Sequence, residues 1–255
     1  MNVTILQTDI EWGSPRENIR RVQKMMDNHP GADLYVLPEM WSTGFATDPF
    51  DIAEDEQTSI SLKWMKNVAH QYCCAICGSL AIRTADGIYR NRLYFINGEN
   101  CSFQYYDKRH LFTYGGENQY YQAGDRHTIV EYKGFRILLL TCYDLRFPIW
   151  SRYSDDLQYD VIVCVANWPE SRQNAFHILT RARAIENMSY LVVVNRVGDD
   201  SHNHYCGCSC ILSPIGKTLV CCPPQVPSFA SFSLNLESLR QKRAKFKVLD
   251  DRDSL

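Results

Sequence analysis

The sequence predicts a single α/β domain in which two β-sheets pack on each other and carry helices on their outer faces. Strand-like apolar runs alternate with amphipathic segments along the 255 residues. No Pro/Ser-rich linker, internal repeat or low-complexity stretch divides the sequence. The predicted helices are too few to cover both faces of two separate sheets, so the sheets are expected to pack together.

The first half of the chain begins with a predicted strand over 3–9. A helix follows from 15 to about 28, because Ser14 suits the N-cap position, Pro15 suits the first turn, and Glu17 would complete a capping box. The other elements predicted here are a strand over 34–38, a helix over 58–72, hairpin strands over 74–83 and 88–96 around Asp86-Gly87, and a strand over 102–108.

The second half begins with a polar loop over 111–125 that is rich in Gly and Tyr. The predicted strands are 128–132, 135–141, 161–166, 190–195, 209–212, 219–222 and 228–234. Helices are predicted just after Pro148 and over 174–187. The charged segment 236–255 is expected to begin as a helix and to end as an arm.

The composition excludes several classes of function. With 22% charged residues and a net charge of -2, the sequence has no basic stripe for a nucleic acid or an anionic membrane. Its longest apolar runs, 161–166 and 191–194, are too short to span a bilayer. The chain opens as a strand, without a basic region before an apolar segment, so a soluble cytoplasmic protein is expected.

The 11 cysteines are expected to be reduced. Several lie inside apolar runs and are predicted to be buried: Cys73, Cys74, Cys77 and Cys164. A denser set, Cys206, Cys208 and Cys210, follows His202 and His204. Its period-two spacing favours one face of a buried strand, whereas zinc sites typically use C-x₂₋₄-C on a turn. Neither a metal nor a cofactor is therefore predicted.

Among the cysteines, Cys142 has the sequence position most typical of a catalytic nucleophile. It follows the apolar run 137–141 and precedes Tyr-Asp-Leu-Arg-Phe-Pro, so a buried strand is predicted to end where a helix soon starts. Free N–H groups and the macrodipole at a helix start favour thiolate over thiol. Glu39 and Lys108 stand in comparable positions, each at the end of a predicted strand.

These three side-chain types are sufficient to hydrolyse an amide. Cys142 would attack the carbonyl carbon, while Lys108 and the backbone N–H of Tyr143 would stabilise the oxyanion. Glu39 would carry the proton from the thiol to the leaving nitrogen and later activate a water. Taken singly, Glu39 could also cap a strand or pair with an arginine, and Lys108 could be solvated. Spacing alone does not bring the three together.

Three segments, in order, resemble the signature segments of the nitrilase superfamily of carbon–nitrogen hydrolases: Leu-Pro-Glu-Met (37–40), Tyr-Asp-Lys-Arg-His-Leu-Phe (106–112) and Thr-Cys-Tyr-Asp-Leu-Arg-Phe-Pro (141–148). A fourth region also agrees, over 166–170, 181–187 and 195–198. The resemblance covers almost the whole chain. It implies a four-layer α-β-β-α sandwich, one domain over 1–255, and a cofactor-free triad of Glu39, Lys108 and Cys142. It further implies a second glutamate in the loop after the lysine, for which Glu117 is the candidate.

The resemblance also narrows the substrate. The segment around Cys142 is similar to the amidase branch, and most of all to bacterial ω-amidases that release ammonia from 2-oxoglutaramate or 2-oxosuccinamate. Such substrates carry a remote carboxylate, and Arg172 is the candidate cation for it. Arg146 is expected to pair with Asp144 instead. The aromatic residues expected to wall the pocket are Trp41, Phe45, Tyr114 and Trp168.

Other functions remain open. The chain could be another small aliphatic amidase or an N-carbamoyl amino acid hydrolase of the same superfamily, a catalytically silent binding protein, or a metal or redox sensor. The resemblance implies a homodimer or higher homo-oligomer across the helix after the nucleophile, with 236–255 as an arm at that interface. Cys208 stands where relatives often have Asp, which removes a hydrogen-bond acceptor.

Overall fold

The computed structural model describes residues 1–253. Its strands are β1 (Asn2–Gln7), β2 (Leu34–Val36), β3 (Glu54–Asp55), β4 (Ala75–Arg83), β5 (Tyr89–Asn97), β6 (Ser102–Asp107), β7 (Ile129–Tyr132), β8 (Phe135–Thr141), β9 (Val161–Ala166), β10 (Tyr190–Asn195), β11 (Val197–Asp199), β12 (His204–Cys206), β13 (Cys210–Leu212), β14 (Thr218–Cys221) and β15 (Ser228–Ser233). Its α-helices are α1 (Pro15–Asp27), α2 (Ile60–Tyr72), α3 (Pro148–Ser151), α4 (Gln173–Glu186) and α5 (Leu236–Lys245). Short 3₁₀ helices lie at Thr113–Gly115, Glu117–Gln119, Cys142–Arg146 and Glu170–Arg172.

Two large sheets contain most of the strands. One has the order β15-β1-β2-β4-β5-β6, with β3 paired to β4, and the other has the order β14-β13-β10-β9-β8-β7. Parallel strands form the centre of each sheet: β1, β2 and β4 in the first, and β8, β9 and β10 in the second. Strands β11 and β12 form a separate antiparallel hairpin. Strands β2, β9 and β10 are buried along their whole length, which explains their nearly continuous apolar sequences.

The sheets pack face to face, and helices cover their outer faces. Val36 and Val163 belong to the core between the sheets. On the outer face of the first sheet, Tyr35 packs in a second core with Met65 of α2. Phe176 of α4 covers the outer face of the second sheet. Burial of each large apolar side chain contributes roughly 1.5–3 kcal/mol. The layers are therefore α-β-β-α, and the predicted sandwich is confirmed.

The first predicted helix forms as α1, but its predicted capping box does not. The Ser14 side chain makes no capping hydrogen bond. Glu17 accepts hydrogen bonds from Arg20 at 2.7 Å and from Arg21 at 3.0 Å instead. Bonds between charged groups are stronger than the bond to a backbone N–H that a capping box requires, so the arginines hold the carboxylate.

The prediction that Cys206, Cys208 and Cys210 lie on one face of a buried strand is wrong. Cys206 ends β12 and Cys210 begins β13, while Cys208 has a φ of +61° and Gly207 a φ of +74°. Two successive residues in the left-handed region break the extended alternation, so the three sulfurs share no strand face. Cys73, predicted to be buried, is exposed. No helix within residues 1–253 is long and apolar enough to cross a membrane.

Candidate active site

Glu39, Lys108 and Cys142 meet at one end of the sandwich. Glu39 follows β2 and Cys142 follows β8, so both lie beyond the carboxyl ends of parallel strands, while Lys108 directly follows β6. The loop after β2 reaches the second sheet, where the N–H of Glu39 donates to the carbonyl of Ala166 at 3.4 Å. Strand ends of two packed sheets thus bring together side chains that are distant in sequence.

Lys108 lies between two carboxylates. Its Nζ is 2.9 Å from Oε1 of Glu39 and 2.8 Å from Oε2 of Glu117. All three side chains are at most 1% exposed. Glu117 is therefore no exposed loop carboxylate, and Lys108 is not solvated. Buried charges of this kind persist only when they are paired and hydrogen-bonded.

Two asparagines outside the predicted set of site residues complete this cluster. Asn91 of β5 donates through Nδ2 to Oε1 of Glu39 at 2.7 Å and to Oε1 of Glu117 at 3.0 Å. The backbone N–H of Asn167 donates to Oε2 of Glu39 at 3.0 Å. Asparagine does not titrate, so neither residue stands out as a reactive group, although Asn167 lies in the region 166–170 that resembles the family. The one available signal for Asn91 was a polar amide within a long strand.

Cys142 occupies a strained turn at the mouth of the cluster. Its φ of +44° is uncommon for a residue with a side chain. Its Sγ lies 3.8 Å from the carbonyl oxygen of Asn167, toward which the thiol points. Tyr143 is the second residue of the 3₁₀ helix Cys142–Arg146, so its N–H has no acceptor within that helix.

The pKa values of the cluster follow from burial and charge. Burial, reinforced by the Glu39 carboxylate, raises the pKa of the Cys142 thiol well above its usual range. The predicted preference for a resting thiolate is therefore wrong, because desolvation outweighs the attraction of the helix start and of Lys108. Burial also raises the pKa of Glu39, although Lys108 opposes it. For Lys108, burial alone would lower the pKa, but Glu117 and Glu39 outweigh burial and raise it.

A cavity of about 400 Å³ opens onto Cys142 and Lys108. This volume suits a small substrate. Arg146 and Arg172 both line the cavity, and neither guanidinium pairs with a carboxylate in the part of the chain that the structure describes. The guanidinium carbon of Arg172 lies 5.3 Å from the ring centre of Phe112. The cavity therefore joins a sulfur, a buried ammonium and two cations that remain available to a ligand.

The aromatic residues expected around the pocket divide into two groups. The three that line the cavity are Phe45, Trp168 and Tyr114. Tyr114 is 88% exposed, so it stands at the rim rather than enclosing a ligand. Trp41 is wholly buried, and its ring centre lies 5.2 Å from that of Trp64 in the core behind the site. Its backbone N–H donates to the backbone carbonyl of Ser79 in β4. Trp41 does not line the cavity, so the prediction that it walls the pocket is wrong.

Arg146 does not pair with Asp144, and that prediction is also wrong. Asp144 is wholly buried and accepts hydrogen bonds from the hydroxyl of Tyr106 at 2.8 Å and from the N–H of Thr141 at 2.9 Å. These bonds already hold the carboxylate where the nucleophile's turn begins. The guanidinium of Arg146 instead lies 4.9 Å from the ring centre of Trp168, a cation–π contact at the wall of the cavity.

The cysteine-rich turn lies beside the cavity without forming a metal cluster. Within residues 1–253, no group of three or more His, Cys, Asp or Glu side chains is placed to hold a metal ion. Gln173 contacts the sulfurs of both Cys206 and Cys208, so Cys208 has an amide neighbour. Nearby, His202 lines the cavity, while the imidazole of His204 contacts Asp199 at 2.7 Å.

The geometry of the active site agrees with the family to which the sequence is similar. A family model described as carbon-nitrogen hydrolase matches residues 2–244. The chain belongs to the carbon-nitrogen hydrolase family. Omega-amidase YafV of Escherichia coli K12 is 38% identical over 256 residues, which cover 99% of this chain and 97% of that protein. The 2-oxoglutaramate amidase of Bacillus subtilis is 34% identical over 219 residues, which cover 85% of this chain and 84% of that protein.

Solved structures of this carbon-nitrogen hydrolase family share the fold. XC1258 from Xanthomonas campestris, a CN-hydrolase superfamily protein with an arsenic adduct in its active site, is 35% identical, with a TM-score of 0.95 over 100% of this chain and 98% of that one. Nit3 of Saccharomyces cerevisiae, from branch 10 of the nitrilase superfamily, has a TM-score of 0.83 at 20% identity, over 96% and 94% of the two chains. The predicted superfamily and enzyme class are confirmed: the protein is a hydrolase of carbon–nitrogen bonds in amides.

Proposed function

We propose that this hydrolase is an ω-amidase, which releases ammonia from a small amide that carries a carboxylate, such as 2-oxoglutaramate or 2-oxosuccinamate. The observation that carries the proposal is the presence of two unpaired guanidinium groups, Arg146 and Arg172, in the same small cavity as Cys142. A guanidinium binds a carboxylate through two parallel hydrogen bonds. The names of the relatives from E. coli and B. subtilis favour the same substrate class.

The first chemical step follows from the protonation states of the cluster. Cys142 rests as a neutral thiol because its pKa is raised, so it needs a base at the moment of attack. Glu39 takes the thiol proton as the sulfur forms a bond to the amide carbon. The tetrahedral intermediate then collapses with proton transfer from Glu39 to the nitrogen, which leaves as ammonia. A thioester on Cys142 remains.

Lys108 and the N–H of Tyr143 stabilise the oxyanion in both halves of the reaction. Removing one such donor typically costs on the order of 10²–10³ in rate. Glu117 also binds the ammonium, at 2.8 Å, and through Lys108 orients the amide of the substrate. In the second half, Glu39 removes a proton from water, whose oxygen attacks the thioester carbon. The C–S bond then breaks, the proton passes from Glu39 to the sulfur of Cys142, and the carboxylic acid product leaves.

A comparison of four substrates tests the assignment. Steady-state kcat/KM is measured for 2-oxoglutaramate, glutaramate, an N-carbamoyl amino acid and an aliphatic nitrile. The two dicarboxylate monoamides are expected to lead by roughly 10–100-fold, the value of a charge-assisted contact to their carboxylate. A clear lead for the N-carbamoyl compound would favour an N-carbamoyl amino acid hydrolase instead. Negligible preference for the two dicarboxylate monoamides would contradict the ω-amidase assignment.

The assembly state is a second part of the proposal: a homodimer across α3 and the neighbouring surface of α4, with the segment from 236 at the interface. Residues 254 and 255 of the predicted arm 236–255 lie outside the described residues. Exposed apolar side chains support this, since Ile149 is 75%, Ile178 59% and Ile185 49% exposed. Light scattering coupled to gel filtration is expected to give twice the 29.5 kDa chain mass. A monomer at micromolar concentration would contradict the dimer but would leave the amidase proposal intact.

A further inference from the structure

Asn91 contacts every charged member of the catalytic cluster. Its side-chain Nδ2 donates one hydrogen bond to Oε1 of Glu39 at 2.7 Å and another to Oε1 of Glu117 at 3.0 Å. Its backbone carbonyl accepts the N–H of Lys108 at 3.0 Å, so the same residue also fixes the main chain that carries the ammonium. Asn91 is 1% exposed, and its Oδ1 has no partner in the described structure.

The cluster holds one more negative group than positive groups, so its carboxylates need hydrogen-bond donors besides Lys108. One ammonium, that of Lys108, faces the two carboxylates of Glu39 and Glu117, and all three groups are excluded from water. Two carboxylates that share a buried site cannot both remain ionised unless donors stabilise each of them. Backbone N–H groups donate to the Oε2 atoms, from Asn167 to Glu39 and from Phe112 to Glu117, and Oε2 of Glu117 also lies 2.8 Å from Nζ of Lys108. In the described structure, the Oε1 atoms receive hydrogen bonds only from that ammonium and from the amide of Asn91.

We propose that Asn91 is a positioning residue of the hydrolytic reaction, whose amide holds the carboxylates of Glu39 and Glu117 together around one ammonium. The inference rests on the role proposed above for Glu39 as the base. An ionised Glu39 is required because a protonated carboxyl cannot accept the proton of the Cys142 thiol. The Glu117 carboxylate is required because it binds Lys108 at 2.8 Å and so holds the ammonium in place for the oxyanion. Asn91 does not line the cavity, so its influence reaches the substrate only through these groups.

The titratable groups around Glu39 come from several elements, and all bear on its protonation. They are Lys108 after β6, Glu117 and Tyr121 in the loop that follows, Cys142 after β8 and Cys164 in β9. Lys108 stabilises the ionised form of Glu39, whereas Glu117 destabilises it. The Asn91 amide acts in the same direction as Lys108 and lowers the pKa of Glu39. Removal of this amide therefore leaves Glu39 protonated up to a higher pH.

The test compares the pH dependence of kcat/KM in Asn91→Leu and Asn91→Ala with that of the wild type. Leucine has nearly the shape of asparagine, and neither substitute has a side-chain donor. The acid limb is expected to move to higher pH by about one unit or more, with KM at the plateau nearly unchanged. Asn97→Leu is the matched control, because Asn97 ends the same strand and its Oδ1 only accepts a bond from the N–H of Glu99. Its pH profile should coincide with that of the wild type.

The outcomes separate this inference from the proposed function. Loss of turnover in Glu39→Gln together with an unmoved acid limb in both Asn91 variants would overturn the positioning role and leave the role of Glu39 standing. Full activity of Glu39→Gln would overturn the role of Glu39 itself. A purely structural role of Asn91 would lower the thermal midpoint and the plateau rate without moving the limb, and would equally overturn the inference. Should Asn91→Leu fail to fold, Asn91→Ala carries the same measurement.

Discussion

Nζ of Lys108 lies 2.9 Å from Oε1 of Glu39, although 69 positions separate the two residues in sequence. Both side chains are essentially inaccessible to water, so this is a buried ion pair rather than a surface one. An ion pair at a protein surface is worth little. A buried pair that borders a nucleophile sets the charge available for proton transfer and for the oxyanion, which gives the contact a chemical consequence.

Replacement of the nucleophile is expected to abolish turnover. Cys142→Ala should lower kcat for amide hydrolysis by at least about 10³-fold, because no other group in the cluster can form the thioester. Ammonia release measures the rate, and circular dichroism checks the fold. Cys221→Ser, at an exposed position away from the cavity lining, should retain wild-type activity. A Cys142→Ala variant with most of its rate would exclude covalent catalysis by this sulfur.

Loss of the buried ammonium is expected to destabilise the protein. Lys108→Met leaves two buried carboxylates without their cation, which should lower the free energy of unfolding by about 3–5 kcal/mol. Urea denaturation at neutral pH measures the change. Lys133→Met removes a lysine whose partner Glu99 is 41% exposed, and this control should cost less than about 1 kcal/mol. Equal losses in the two variants would contradict the distinction between buried and exposed pairs.

The guanidinium groups of the cavity are expected to act on substrate binding. Arg172→Leu and Arg146→Leu should each raise KM for 2-oxoglutaramate by roughly 10–100-fold if that arginine binds the carboxylate. KM for a neutral amide of similar size should change little. Arg181→Leu, on α4 outside the cavity, serves as the control for loss of a positive charge. If neither cavity variant discriminates between charged and neutral amides, the carboxylate is bound elsewhere.

The pH dependence of the wild-type enzyme should reflect the raised pKa of Glu39. Burial favours the protonated carboxyl, so Glu39 becomes a competent base only above a pH higher than the ordinary glutamate value of 4.5. The acid limb of kcat/KM is therefore expected to have its midpoint above pH 4.5. Stopped assays of ammonia release across the acidic range locate this midpoint. A value at or below 4.5 would assign the limb to another group or contradict the raised pKa.

Much of the architecture was available from the sequence, because burial on two faces and turn chemistry are local properties. The continuous apolar strands around Val163 and Val192 and the Asp86-Gly87 hairpin needed no knowledge of their neighbours. In contrast, the local sequence does not determine which of several possible partners a charged side chain binds. Glu17 was held by arginines rather than by a helix start, and Arg146 faced the cavity rather than Asp144.

The sequence by itself determined the family, the two-sheet sandwich and the identity of an acidic, a basic and a sulfhydryl residue at strand ends, since those features are carried by contiguous motifs. Only the tertiary structure decided that Glu117 is buried, that Asn91 joins both carboxylates and that Trp41 stands outside the cavity. Each of these depends on which distant groups share one volume that water cannot enter. Desolvation sets the protonation of the thiol and the carboxyl groups, and no spacing of residues along a chain specifies it.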